Sequence, residues 1–260
     1  MRQTKSEWVN ARDSEEFTGS SQYVLAKKKT ARPRAKTQPD YGCPTVAERY
    51  HGGGSPMSAP INYCHSRNTH TLAAPRAVLP VIFERGMPSS VLDAGCGTGT
   101  WLRAAMELGV DDVVGLEGIV IPPHELLIPE RSVLVQDFTG DWGLPRQFDL
   151  VICLEVAEHL DPRHAASLIR GLTRHGDAIL FSAACPGQGG QGHVNCQWPE
   201  YWQALFNENG FVCDDWLRPR IWNDDLVEYW YRQNIFTAAR NPAKAGGEPR
   251  LESRLHPARR

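Results

Sequence analysis

Between residues 70 and 239, short apolar runs alternate with segments whose apolar positions recur at helical spacing. The runs SVLDAG (90–95), DVVGLEG (112–118), SVLVQD (132–137), FDLVICLE (148–155) and DAILFSA (177–183) predict five strands. Helical spacing marks HTLAAPRAVLPVIFERG (70–86), where Pro75 and Pro80 are expected to break the segment into pieces. It also marks TWLRAAMELG (100–109), PPHELLI (122–128) and DPRHAASLIRGLTRHG (161–176). The last carries Asp161 as N-cap, Pro162 at the first helical position and Gly176 at the exit. WPEYWQALFNENG (198–210) predicts one further helix, with Trp202 and Phe206 four apart on its core face. FVCDDWL (211–217) and EYWYRQNIFTAA (228–239) predict two more strands, and with no helix signal between them these are expected to run antiparallel. Near-continuous apolar strands separated by helices describe an α/β architecture: a mainly parallel seven-stranded sheet covered on both faces, with an antiparallel strand near its C-terminal end.

The flanks read differently. Residues 1–66 are rich in Gly, Pro, Ser, Thr and charge, and KKKTARPRAK (27–36) has six basic residues and no acid. This composition predicts a disordered basic extension, and Met57 is an alternative natural start. Residues 241–260 lack apolar periodicity and are expected to form a disordered tail. The domain is therefore placed at 67–240.

A chain of 260 residues with a formal charge of −2 holds one sizeable domain and offers no general attraction for nucleic acid. No apolar run reaches the ~20 residues of a membrane span, and the N-terminus lacks the apolar centre of a secretory signal. The seven cysteines include no C-x-x-C pair, which fits reduced thiols and a cytoplasmic location.

Candidate chemistry begins at VLDAGCGTGTWL (91–102), where Gly95, Gly97 and Gly99 stand at every second position after a strand. The dinucleotide fingerprint G-x-G-x-x-G needs a third glycine where this chain has Thr100, which argues against NAD. S-adenosylmethionine has no phosphate and asks the turn, Gly95, Cys96, Gly97 and Gly99, only for close backbone approach. Asp93 supplies a carboxylate for its ammonium group. Glu117, at the end of the second strand, suits both ribose hydroxyls. Asp137 and Phe138, after the third, offer an acceptor and a ring face to adenine. Glu155, directly after the fourth, points toward the same cofactor.

Residues 68–239 resemble a class I S-adenosylmethionine-dependent methyltransferase. VLDAGCGTGTWL is similar to the first motif of that superfamily, and FDLVICLEVAEHL (148–160) to the segment around its fourth strand. FSAACPGQGGQGHVN (181–195) followed by QWPEYW resembles a bacterial and phage-type subgroup whose acceptor is unassigned. That subgroup carries Glu where this chain has Cys196. The resemblance implies the Rossmann-like class I methyltransferase fold and methyl transfer from S-adenosylmethionine.

Methyl transfer from a sulfonium is an in-line displacement, so the protein aligns the acceptor and removes its proton. His159 and Glu158, after the fourth strand, and His193, on the glycine-rich loop 185–202, are the candidate catalytic residues. That loop reads as a lid anchored by the aromatic helix after it. Asp224, Asp225 and EYWYRQN are placed at the far wall of the acceptor pocket. E-x-x-E-H resembles the metal-binding motif of small-RNA 3′-terminal 2′-O-methyltransferases, which implies Glu155, Glu158, His159 and His193 as ligands. The same letters occur in metal-free methyltransferases, and no metal is expected here. The expected acceptor is a hydroxyl or amine of a small molecule or glycan. The alternatives are a metal-assisted RNA 2′-O-methyltransferase and a non-catalytic S-adenosylmethionine-binding protein.

Overall fold

A computed structural model describes Tyr63, His65 and residues 71–258; the rest of the predicted basic extension lies outside the described residues. Seven strands form one sheet: β1 (Ser90–Ala94), β2 (Asp112–Glu117), β3 (Val133–Val135), β4 (Leu150–Leu154), β5 (Ala178–Ser182), β6 (Phe211–Asp214) and β7 (Phe236–Arg240). Their order is β3-β2-β1-β4-β5-β7-β6, with β1 to β5 parallel. β7 runs antiparallel to both of its neighbours, with Phe236 opposite Phe181. This is the Rossmann-like class I methyltransferase sheet that the alternating pattern and the motifs imply.

Among the described residues six helices cover it: α1 (Ala73–Phe83), α2 (Thr100–Glu107), α3 (Ala165–His175), α4 (Pro199–Glu208), α5 (Arg218–Ile221) and α6 (Tyr229–Asn234). Successive strand residues point to opposite faces. Val91, Ile152 and Leu180 enter the core under α1 and α2, while Leu92, Cys153 and Phe181 enter the core under α3 and α4. Trp202 and Phe206 are fully buried against Phe181, as their spacing on α4 predicts. No helix among the described residues is long and apolar enough to cross a membrane.

Four expectations are corrected. α1 runs unbroken through Pro75 and Pro80. Pro75 sits in the first turn, and Pro80 lies on the exposed face beside Arg76, whose carbonyl loses only a solvent-side bond. Burial of Ala74, Val78, Leu79 and Ile82 holds the other face. Residues 122–128 form one 3₁₀ turn, Pro123–Glu125, rather than a helix. Prolines on both sides forbid continuation, and the N–H of Leu127 donates instead to the carbonyl of Thr98 at 2.9 Å.

The run 228–239 is not a single strand: its first half is α6 and its second half starts β7. Arg232, Gln233 and Asn234 are buried in succession, which no half-exposed strand allows. The segment after β7 is not a disordered tail through residue 258. Glu248 accepts from Asn207, Gln203 and the N–H of Cys213, Leu251 is buried, and its N–H donates to Gln203 at 2.8 Å. These anchors are isolated single residues, so no periodicity marks them.

Candidate active site

The carboxyl ends of β1, β2 and β4 open into a cleft of about 360 Å3. Its floor is the turn after β1. Gly95 has φ +85°, and a Cβ there would meet Val156 Cγ2 at 2.2 Å. A side chain is excluded by both the left-handed backbone and the neighbour. Gly97, at φ +53°, donates its N–H to Glu117 Oε2 at 2.9 Å. The other oxygen of Glu117 accepts from the N–H of Gly118 at 2.8 Å and lies 3.7 Å from His65 Nε2.

Asp93 is buried at the end of β1, and its Oδ2 has no hydrogen-bond partner among the described residues. Burial, with the charge of Glu117 nearby, pushes its carboxyl up to about 8. Cys96 and Phe138 also line the cleft. Burial raises the Cys96 thiol well above its ordinary range, and its Sγ packs where a Cβ on Gly115 would stand.

Two of the predicted cofactor residues do not line the cleft. Asp137 is exposed, and its Oδ1 accepts the N–H of Thr139 at 2.8 Å. The edge strand β3 ends at Val135, so Asp137 falls in the following turn and bonds its own backbone. Gly99 heads α2 at φ +85° and packs against Ile128, a role in building the turn.

β4 delivers the second half of the site. Glu155 has φ 54°, the one non-glycine residue with positive φ among the described residues. Its Oε2 accepts from Gln188 Nε2 at 2.8 Å and its Oε1 from Asn234 Nδ2 at 3.2 Å. Burial raises its pKa against the opposing effect of these donors. Glu158 is fully buried, and neither of its carboxyl oxygens has a hydrogen-bond partner among the described residues. Burial, reinforced by the charge of Glu155, holds it well above the carboxylate range.

The backbone carbonyl of Glu158 accepts the N–H groups of Val194 and Asn195 at 2.8 and 3.0 Å, which moors the glycine-rich loop to the end of β4. The loop is thereby folded over the site, and it places His193 with its ring 5.0 Å from that of His159. Burial and the proximity of His193 push His159 down to about 4; burial lowers His193. Nδ1 of His193 lies 3.2 Å from the Gln188 carbonyl and 3.6 Å from Cys196 Sγ. Ligand atoms of Glu158, His159 and His193 lie within 4.8 Å of one another.

Several cleft residues were missed in the sequence. Tyr63 stacks edge-on against both His65 and His159, although both Tyr63 and His65 fall inside the segment read as an extension. Gln188 carried no signal beyond being a polar residue on the loop. Of the proposed far wall, Tyr229, Trp230 and Tyr231 do line the cleft. Asp224 and Asp225 do not: Asp224 bonds the N–H of Leu226, and the Asp225 side chain is in solvent. No Lys or Arg is among the described residues lining the cleft, which gathers four carboxyl groups.

Residues 65–233 match a family model described as a methyltransferase domain. The chain belongs to this family. The methyltransferase domain is 33% identical over 99 residues to the ribosomal protein L11 methyltransferase of Laribacter hongkongensis, covering 36% of this chain and 32% of that protein. It is 32% identical over 102 residues to a ubiquinone biosynthesis O-methyltransferase of Pseudomonas syringae pv. tomato, covering 35% of this chain and 43% of the relative. The match thus spans less than half the length of these curated relatives. A solved sugar N-methyltransferase, KedS8 from Streptoalloteichus sp., shares the fold of the methyltransferase domain at a TM-score of 0.52. It is 20% identical, and the superposition covers 73% of this chain and 98% of that one.

Proposed function

We propose that this protein transfers a methyl group from S-adenosylmethionine to a hydroxyl or amine of a small molecule, a glycan included. The observation that carries this reading is the unpartnered Oδ2 of the buried Asp93 carboxyl group, beside a turn whose Gly95 admits no side chain. Asp93 receives the ammonium of the cofactor. Glu117 accepts from the ribose hydroxyls, Gly95 and Gly97 admit close approach, and Phe138 faces the adenine. When bound, S-adenosylmethionine would supply an electrophilic methyl group on its sulfonium, with the thioether as leaving group for attack by the acceptor's lone pair. The acceptor proton leaves to His159, whose Nδ1 has no hydrogen-bond partner among the described residues, with His193 and Glu158 at its side. With no Lys or Arg on the described lining, the cleft suits neutral or cationic acceptors. The names of two relatives, a ubiquinone-pathway O-methyltransferase and a sugar N-methyltransferase, support a small-molecule acceptor, while that of the ribosomal protein L11 methyltransferase points to a macromolecule. A cytoplasmic location is part of the same reading.

Calorimetry tests the first step. S-adenosylmethionine and its demethylated product are expected to bind, and NADH is not. Binding of NADH alone overturns the reading. Incubating a cell extract with methyl-labelled cofactor then identifies the acceptor by mass.

One observation favours a second reading. Glu158, His159 and His193 form a carboxylate-plus-two-imidazole set with unfilled acceptor capacity, which would hold a divalent cation beside the acceptor. Stoichiometric cobalt with ligand-field bands that vanish in His193→Ala supports it; no retained metal after dialysis removes it.

A further inference from the structure

Gln188 of the glycine-rich loop, which lines the cleft, forms a buried cluster of amides with Gln233 and Asn234 of α6. Its bonds have a direction. The backbone N–H of His256, in the C-terminal segment, donates to Gln233 Oε1 at 2.9 Å. That fixes the oxygen outward and turns Nε2 of Gln233 inward, where it reaches Gln188 Oε1 at 3.2 Å and Cys185 Sγ at 3.0 Å. Gln188 Oε1 also accepts from Asn234 Nδ2 at 2.9 Å. With its oxygen doubly used as acceptor, Gln188 presents its nitrogen to Glu155 Oε2 at 2.8 Å. Glu155 is the end of the chain of bonds. Each of its oxygens holds one amide donor, and its backbone sits at φ 54°, a conformation that surrounding contacts must enforce.

A second strut joins the same parts. Arg218, 1% exposed, donates to the backbone carbonyls of Gln233 at 2.9 Å and Glu252 at 3.0 Å. The C-terminal segment therefore grips Gln233 at its side chain and, through Arg218, at its backbone.

We propose that residues 241–258 are a working part of the active site: through His256 N–H, Gln233 and Gln188 they orient the Glu155 carboxylate and hold the loop 185–197 over the cleft. Gln233 and Gln188 are then positioning residues. The proposal rests on the methyltransferase reading for what Glu155 serves, while the relay itself is independent of any cofactor.

The test separates one N–H from its side chain. His256→Ala keeps the backbone donor, and His256→Pro removes it; position 256 precedes Pro257, so its backbone is already biased to the extended region that proline tolerates. Hydrogen exchange in residues 188–195 is expected to rise about tenfold in His256→Pro over His256→Ala, the effect of one lost buried hydrogen bond. Gln188→Leu, which cuts the relay at its other end, gives the same rise. The infrared carboxylate band of Glu155, identified by subtraction of Glu155→Gln, shifts in His256→Pro and stays in place in His256→Ala. Equal melting temperatures of the two variants separate this shift from a general loosening of the fold, since proline also constrains the backbone. Equal loop exchange and an unshifted band in the pair overturn the proposal. S-adenosylhomocysteine calorimetry on the unmodified protein stands apart: failure there removes the proposed function and leaves the relay result intact.

Discussion

The N–H of Gly97 donates to the carboxylate of Glu117 at 2.9 Å, tying the turn after β1 to the last residue of β2. One carboxylate thus both shapes the turn and faces the space where a ribose would lie. Glu117→Ala is expected to weaken S-adenosylhomocysteine binding by ~2–3 kcal/mol, since a charged acceptor is lost from two hydroxyls. Glu117→Gln keeps one acceptor and falls between. Calorimetric titration of the three proteins checks the order, and an unchanged affinity in the alanine variant contradicts the placement.

Asp93 gives a pH dependence with a definite sign. An unfolded Asp ionises near ~3.9, and burial raises Asp93 to about 8 in the fold. Its contribution to stability is full below the unfolded value and is lost as pH rises toward 8, levelling off above. Asp93→Asn is therefore expected to melt higher than the unmodified protein at pH 8 and to converge with it near pH 4. Binding adds a second signature. At pH 7 the free carboxyl is protonated and the bound one ionised, so S-adenosylmethionine binding releases about one proton from Asp93. Calorimetry in buffers of different ionisation enthalpy reads it, and Asp93→Asn loses it.

Gly95→Ala combines two costs. The new Cβ would stand 2.2 Å from Val156 Cγ2, at a backbone φ of +85°. A loss of ~2–4 kcal/mol in urea unfolding is expected. Adding Val156→Ala relieves the clash and leaves the left-handed backbone cost of ~1–2 kcal/mol. Full recovery in the double variant would mean that the turn tolerates an ordinary backbone.

His159→Ala is expected to slow transfer to the acceptor found by labelling by roughly 10²–10⁴-fold, with S-adenosylhomocysteine affinity nearly unchanged. The sulfonium carries the leaving group, so the imidazole acts only on the other reactant. His193→Ala, which removes the ring beside it, gives a smaller loss. Rates equal to the unmodified protein in both variants would exclude a histidine base.

The strands β1, β2, β4 and β5 were legible because they are mostly buried on both faces and carry short apolar runs. Gly95, Gly97, Asp93 and Glu117 followed from where those runs stop. Asp137 lies outside the cleft for a physical reason: β3 pairs on one side only and is three residues long, so its end is two residues earlier than the apolar run suggests. α6 was invisible because Tyr229, Trp230 and Tyr231 read as strand formers, while contacts such as Tyr231 against Trp101 hold them in a helix. Gln188 and Asn234 carried no signal beyond lying in the glycine-rich loop and in EYWYRQN. Their importance lies in which atoms they meet across 46 residues of chain, information that composition and periodicity do not carry.

The reversed direction of β7 has a consequence for how this domain can change. Because β7 enters the sheet from the edge at which the parallel strands end, the residues just before it arrive at the mouth of the cleft. Under the proposed function, the groups for the methyl donor come mainly from the ends of the first three strands, residues 93–138, joined by Glu155, and the rest of the cleft wall comes from residues 156–231 with Tyr63 and His65. Donor and acceptor recognition would then lie in largely consecutive stretches of gene. A recombinant that keeps the first stretch and exchanges the second would retain most of the donor site with a new acceptor wall, provided that the residue packed against Gly95 stays no larger than Val156.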